Sequence, residues 1–571
     1  MTETLDQVIA DYLDTVLRAD PVAATQLGVH TWDSELGTFG PEVADDYLRD
    51  LHGSIARLES IDLSGLPFSS QLDASVAIVD AKVKARQFVE TRFWERAPFW
   101  HLERLGTGAS VLMQRPFAAV QERAESLLSR LDAVPGYLAS VRRLIVPSDL
   151  PAPYVDMTTR AADGLETFFG TSVPVFASQL DGRITSRLSA AGQRAAAAVP
   201  EFSGSLNETR GAAGGSFRAG AEYFDFLLRT YHGVPLDHSE LFEWGRDQVV
   251  QDRSRLEEYA RALDPDTHWT EQVSRVKERH PLPAGFVDAY ASEMERARHH
   301  CVEKDLISIP DDEACHVRWL PEYLRVGLPI GVMSPSPTFE PGLVSDWLIT
   351  PIDPDAPSHR RSQHMRDNCY AFSESIAGHE TYPGHHLQRV HHKLATEASP
   401  IRRYFVSPLF AEGWGLYTED LLDETGLFDN SAVKLFKLRN ALWRSVRVVI
   451  DTGLHTRNMS FTEATRLLEE EVALDRHMAE GEITRYIRYN NPTYPSSYLM
   501  GRTAIHDLRA RCGTGTSLRS FHDRLLSYGS VPLSFLDEEL TGDRDTRTTE
   551  RSRGMVSRYR RLSETGKVQP C

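Results

Sequence analysis

The chain has 571 residues, 41% of them hydrophobic, and a formal net charge of −18; it can build a large core, and nucleic acid or an anionic membrane is excluded as a principal partner. Five scattered cysteines (Cys301, Cys315, Cys369, Cys512 and Cys571) include no C-x-x-C pair, which excludes a disulfide framework and a thiolate zinc site. No run of 18 apolar residues occurs, which excludes a membrane-spanning helix.

The N-terminal segment, "MTETLDQVIADYLDTVL", carries acids where a secretory signal needs basic residues and an apolar run, so a cytoplasmic location is expected. Its periodicity predicts an amphipathic helix with Leu5, Val8, Ile9, Tyr12, Leu13, Val16 and Leu17 on one face and Pro21 beyond its end. Helical periodicity recurs at "LRDLHGSIARLESI", "AAVQERAESLLSRLDAV", "GAEYFDFLLRTYHG" and "SELFEWGRDQVVQDRSRLEEYARAL". Between them, "GSLNETRGAAGGSF" (204–217) reads as a linker or as an ordered loop over a cleft. Strand patterns are few, the best being "LVSDWLITPID" (343–353) after the Pro/Gly-rich "GLPIGVMSPSPTFEPG". The fold class is therefore mainly α with a small β-sheet near the middle of the chain.

The segment "SIAGHETYPGHHLQRVHH" (375–392) brings five histidines to one helical stretch. His379 and Glu380 begin like the zinc-protease pattern H-E-x-x-H, in which one turn presents two metal ligands and the glutamate acts as general base. Four residues on, however, stands Pro383, and the next histidine, His385, is six residues from His379. On an undistorted helix that spacing is a rotation of roughly 240°, the wrong face. Pro383 and Gly384 can bulge the helix and return His385 to the side of His379. His386 competes as ligand at the cost of a larger distortion, and His391 and His392 are expected on a solvated face.

A third ligand is offered by "SPLFAEGWGLYTEDLLDETG" (407–426), where Ser407 and Pro408 open a helix and Gly426 closes it. Glu412 sits between Ala411 and Gly413, small neighbours that suit a carboxylate approaching a metal on another helix. Glu419, seven residues on, lies near the same face and could support a ligand from behind. Both could equally be surface glutamates. Downstream, Asp451 and His455 are four apart, and His455 is either an oxyanion or substrate ligand oriented by Asp451 or a cation at a helix C-terminus. "SFTE" (460–463) reads as a capping box. The stretch 482–505 is dense in Tyr and Arg, and beyond about residue 540 the chain turns polar and Arg-rich.

"GHETYPGHHLQ" followed by "FAEGWGLYTEDL" resembles the bacterial domain-of-unknown-function 885 family, whose hallmarks are HExxPGH-x-x-Q and EGW-x-LY. "ADPVAATQLGVH", "RVVIDTGLH" and "FHDRLLSYGSVPLSFLDEEL" resemble other segments of that family, so the likeness covers nearly the whole chain. It implies a single metallopeptidase-like unit over 1–540, with a helical half (1–335) and a metal-site half (336–540), followed by a polar tail (541–571). It further implies a helical zincin-like fold around a deep central channel, similar in outline to angiotensin-converting-enzyme-like and oligopeptidase-type enzymes. In that reading His379, His385 and Glu412 hold Zn2+, and Glu380 is the general base. Tyr498, in the family's S-Y-x-x-G element with Gly501, supplies the oxyanion donor, while Arg485 and Tyr486 match its preceding R-Y and contact substrate, Arg485 as a guanidinium suited to a substrate carboxylate. The chain departs from the family pattern at Tyr494, Pro495, Leu499 and Arg502, and "SDWLITPID" lacks a usual strand-end asparagine, which puts substrate preference in doubt. The implied activity is zinc-dependent hydrolysis of peptide or amide bonds in short substrates. The alternatives are a tailoring enzyme acting on a dedicated small molecule and a non-catalytic binding protein. No nucleic acid or membrane partner is expected.

Overall fold

Thr4 opens the first helix, its hydroxyl accepting from the Gln7 amide, and the seven apolar residues picked out by periodicity are the ones buried along α1 (Leu5–Ala19). The computed structural model describes residues 3–320, 331–513 and 515–542; of the Arg-rich tail, residues 543–571 lie outside the described residues. The described residues divide into two compact units, one running to Phe217 and taking in Pro337–Pro341, the other built from Arg218–Leu320, 331–336 and 342–542. Phe217 is the last residue of the predicted linker, although Gly204–Asn207 at its start remain helical.

In the first unit α2 (Pro98–Gln114), α3 (Val120–Leu144), α4 (Ala152–Thr167) and α5 (Arg183–Asn207) close around an apolar core that includes Leu105, Leu127, Leu131, Leu165 and Leu188. Interdigitated leucine and valine side chains removed from water supply the driving force. No candidate site residue falls in this unit.

The second unit holds the sheet. β1 (Glu313–Trp319) pairs parallel with β3 (Leu343–Ile349), and β2 (Gly331–Ser334) pairs antiparallel with its other side, giving the order β1-β3-β2. β3 falls where the sequence predicted a strand. β1 and β2 were not predicted, because a four-residue strand inside a Pro/Gly-rich segment and a single short polar-rich strand carry too little alternation to read. Trp347 of β3 packs edge-on against Tyr290.

The remaining elements are helical. α6 (His238–Leu263) opens on an Asp237–Glu240 capping box and packs along α10 (Ser431–Thr456). Between these in sequence come α7 (Tyr370–Glu380), α8 (His385–Ala395) and α9 (Pro408–Glu424). After them follow α11 (Arg476–Tyr486) and α12 (Tyr494–Arg511). The fold is mainly α with a small sheet, as expected, and α9 begins at the predicted Ser407–Pro408 cap and stops at Gly426, whose φ of +90° no β-carbon tolerates well.

A candidate metal centre between a broken helix and its neighbour

The backbone at Pro383–Gly384 does more than bulge. α7 ends at Glu380 and α8 starts afresh at His385, so the predicted continuous helix is two helices with a tight turn between them. The reason lies in the close return of the chain: the Gly384 amide bonds the Gly378 carbonyl at 2.9 Å, and a Cβ on Gly384 would stand 1.9 Å from the carbonyl oxygen of His379. Only glycine fits there. Trp414 of α9, fully buried, donates from its indole to the Pro383 carbonyl at 2.8 Å and pins the turn.

His379 and His385 thereby meet edge to face, ring centroids 4.7 Å apart. One face of α9 completes the arrangement. Glu412 presents its Oε2 3.4 Å from His385 Nε2. Gly415, one turn on, leaves room for the His379 ring, which a Cβ would meet at 2.7 Å. Glu419, a further turn on, takes the His379 Nδ1 proton at 2.8 Å, an assignment made from the hydrogen-bond pattern. Nε2 of His379 is left as the ligand atom. Donor atoms of His379, His385 and Glu412 all lie within 4.8 Å of one another.

Charge at the site follows from these contacts. Burial alone would raise Glu412, but the imidazoles of His385 and His379 and the hydroxyl of Tyr494 hold its carboxyl well below the usual range. His385 is shifted up: burial opposes its protonation, and the carboxylates of Glu412 and Glu380 outweigh burial. Glu412 Oε2 is buried with no hydrogen bond among the described residues, as suits an oxygen that would face a cation. Two imidazoles and a carboxylate form the donor set of a catalytic zinc site with one position open, and about 2.1 Å from each donor to zinc is compatible with the 3.4 Å contact. The residues fit the metal.

Around this centre, Glu380, the last residue of α7, is half-buried. Tyr498 stacks on His379 at 6.3 Å between centroids, and its hydroxyl lies 3.4 Å from that of Tyr494. Burial and then the Glu412 charge raise the Tyr498 phenol, so it stays protonated and able to donate. Tyr494, noted in the sequence only as a departure, donates to Glu412 Oε1 at 2.6 Å and touches the centre directly. Arg485 and Tyr486 both contact Glu482, and Arg485 also lies 6.0 Å from the Tyr494 ring.

Other histidines go elsewhere. His386 is fully buried and saturated, Nδ1 on Ser345 at 2.9 Å and Nε2 on Glu313 at 2.6 Å, so the alternative ligand is tied to the sheet. Tyr382 donates to the same Glu313 at 2.7 Å. His392 is buried against Ser530, not solvated, and burial drives its pKa down to about 3; His391 bonds the Ser308 carbonyl. A histidine-rich helix was misread as a wet surface because both flanks of α8 are covered. His455 is buried with Nε2 on the Tyr486 carbonyl and Nδ1 accepting from Ala219, and burial lowers it to about 4. Neither ring nitrogen is directed to the three ligands. Its neighbour Asp451 accepts from Ser496 and from the Thr493 amide, capping α12, and burial pushes its carboxyl up to about 7.

Among solved structures the fold recurs in a candidate lipoprotein of unknown function from Shewanella oneidensis, at 19% identity and a TM-score of 0.77, covering 94% of this chain and 99% of that one. A second candidate lipoprotein, from Colwellia psychrerythraea, is 18% identical with a TM-score of 0.78 over 95% and 99% of the two chains. The expected cytoplasmic location is corrected by these descriptions: both neighbours are described as lipoproteins, and the acidic first residues on which the expectation rested are no address. No helix among the described residues is long and apolar enough to cross a membrane. The curated proteins include no match. Residues 21–540 match the model of the family described as "Bacterial protein of unknown function (DUF885)", and the chain belongs to that family.

Proposed function

We propose that the protein is a metal-dependent hydrolase of peptide or amide bonds in short substrates, with zinc held by His379, His385 and Glu412. The observation that carries this reading is the convergence of those three donors within 4.8 Å of one another, with Glu419 behind His379 and a buried Glu412 oxygen that makes no hydrogen bond among the described residues. Bound there, zinc would supply an acidified water and a polarised carbonyl. Glu380, adjacent to His379 and close enough for its charge to bear on His385, takes the proton of the attacking water and passes it to the leaving nitrogen. The Tyr498 phenol donates to the oxygen that becomes negative as the carbonyl carbon turns tetrahedral.

A dedicated small-molecule amide as substrate is the second reading, favoured by Tyr494, a departure from the family pattern that sits on Glu412. Dialysis against a strong chelator is expected to abolish cleavage of a short-peptide library, and zinc add-back to restore it. Cleavage that survives metal removal rejects the mechanism. Stoichiometric zinc with an inert library moves the assignment to the small-molecule reading.

A further inference from the structure

α10 is buried on nearly every side, yet it carries Arg444 and Arg447 at 5% and 4% exposure. Arg447 stands 4.8 Å and Arg444 5.7 Å from the centre of the Tyr498 ring, the ring stacked on His379. Arg485 approaches from α11 and shares Glu482 with Arg447, at 3.3 and 2.8 Å. Three guanidiniums thus converge, and Glu482, bonded to Arg447 and Arg485, is the one carboxylate hydrogen-bonded to any of them among the described residues.

That carboxylate does not satisfy them. Nε and Nη1 of Arg444, Nε and Nη1 of Arg447 and Nε of Arg485 are buried without a hydrogen-bond partner among the described residues. Leaving a buried cation with empty donors is costly, and proteins rarely do so unless another group fills them. A surplus of positive charge, forked donors and a location one aromatic ring from the metal ligands describe a receptor for a planar oxyanion. Glu482, pulled down to about 2 by Arg485 and Arg447 against its burial, stays ionised and leaves the cluster with a net positive charge.

Resting on the hydrolase reading, we infer that Arg444, Arg447 and Arg485 form a subsite for the terminal carboxylate of the substrate, so that cleavage is directed to the carboxyl end of a peptide. The spacing bounds the product. Arg447 lies 4.8 Å from the Tyr498 ring centre, which is itself 6.3 Å from that of His379; at about 3.5 Å per extended residue, no more than about three residues bridge the two. The fragment released is an amino acid or a very short peptide bearing the free carboxylate.

The test compares one short-peptide library synthesised twice, as C-terminal acids and as C-terminal amides, with products read by mass spectrometry on zinc-loaded protein. Acids are expected to be cut within three residues of the C-terminus and amides on the order of 100-fold more slowly. Arg447→Met and Arg485→Met should each lower kcat/KM for acids about 10- to 100-fold through KM, and bring the ratio of acid to amide cleavage down towards one. Calorimetry on the zinc-loaded Glu380→Gln protein gives a readout free of turnover: the pooled acids should bind and the pooled amides should not. Equal cleavage and binding of acids and amides by the wild-type chain overturns the subsite and leaves the hydrolase standing. A zinc-loaded protein that cuts and binds neither overturns the peptide-hydrolase reading in favour of the small-molecule one, and the subsite for a peptide carboxylate with it.

Discussion

His385 and His386 are chemically identical neighbours with opposite fates. The turn that begins α8 aims the first at Glu412 and the second into the sheet, where Glu313 and Ser345 take both of its nitrogens. His385→Ala should therefore lose stoichiometric zinc in elemental analysis. His386→Ala should keep its zinc and lose about 1–3 kcal/mol of stability in denaturant melts, the cost of orphaning Glu313 in a dry network. Zinc retained by the first variant and lost by the second would reverse the ligand assignment. Behind His379, Glu419→Ala should weaken zinc about 10- to 100-fold in competition with a chromophoric chelator, because the imidazole loses its orienting partner.

Where elements meet, missing side chains set the distances. α9 and α12 cross at Gly413 and Gly501; a Cβ on Gly501 would lie 2.0 Å from the Leu409 carbonyl oxygen, and one on Gly413 would lie 2.4 Å from the Gly501 Cα. That contact brings Tyr494 and Tyr498 beside Glu412. Gly501→Ala should cost about 1–3 kcal/mol, measured as a lower denaturant midpoint, since backbone rather than a flexible tip must move. The N-terminus of α12 is held by Asp451, whose folded carboxyl sits near 7 against an ordinary value of 3.8. In the folded protein it keeps a proton that the unfolded chain has already shed. Its contribution is thus full below about pH 4 and is lost as pH rises towards about 7. The melting temperature of Asp451→Asn minus that of wild type should increase over that interval and stay flat above it; a difference independent of pH would reject the raised carboxyl.

For the molecule as a whole, the candidate centre draws its ligands from α7, α8 and α9, so metal binding should report on the stability of the fold that joins them. Zinc at 100 times its dissociation constant stabilises the native state by about 2.7 kcal/mol. Calorimetry should show that increase in wild type and none in His385→Ala. Much of this was legible in the amino-acid order. The H-E pair and the E-G-W-x-L-Y run mark the candidate ligands, the period of α1 names its buried face, and Ser407, Pro408 and Gly426 bound α9. Those features are local, because a cap, a stripe or a motif is complete within one or two turns of chain. The break at Pro383–Gly384 was visible only as a distortion of unknown size. Tyr494 on Glu412, the Glu313 clasp on His386 and the arginines around Tyr498 join residues from about 50 to more than 80 positions apart. Periodicity says which face of a helix is buried but not which neighbour it meets. That choice is made by the crossing of helices at paired glycines and the burial of unmatched charge, and both exist only once the chain has closed on itself.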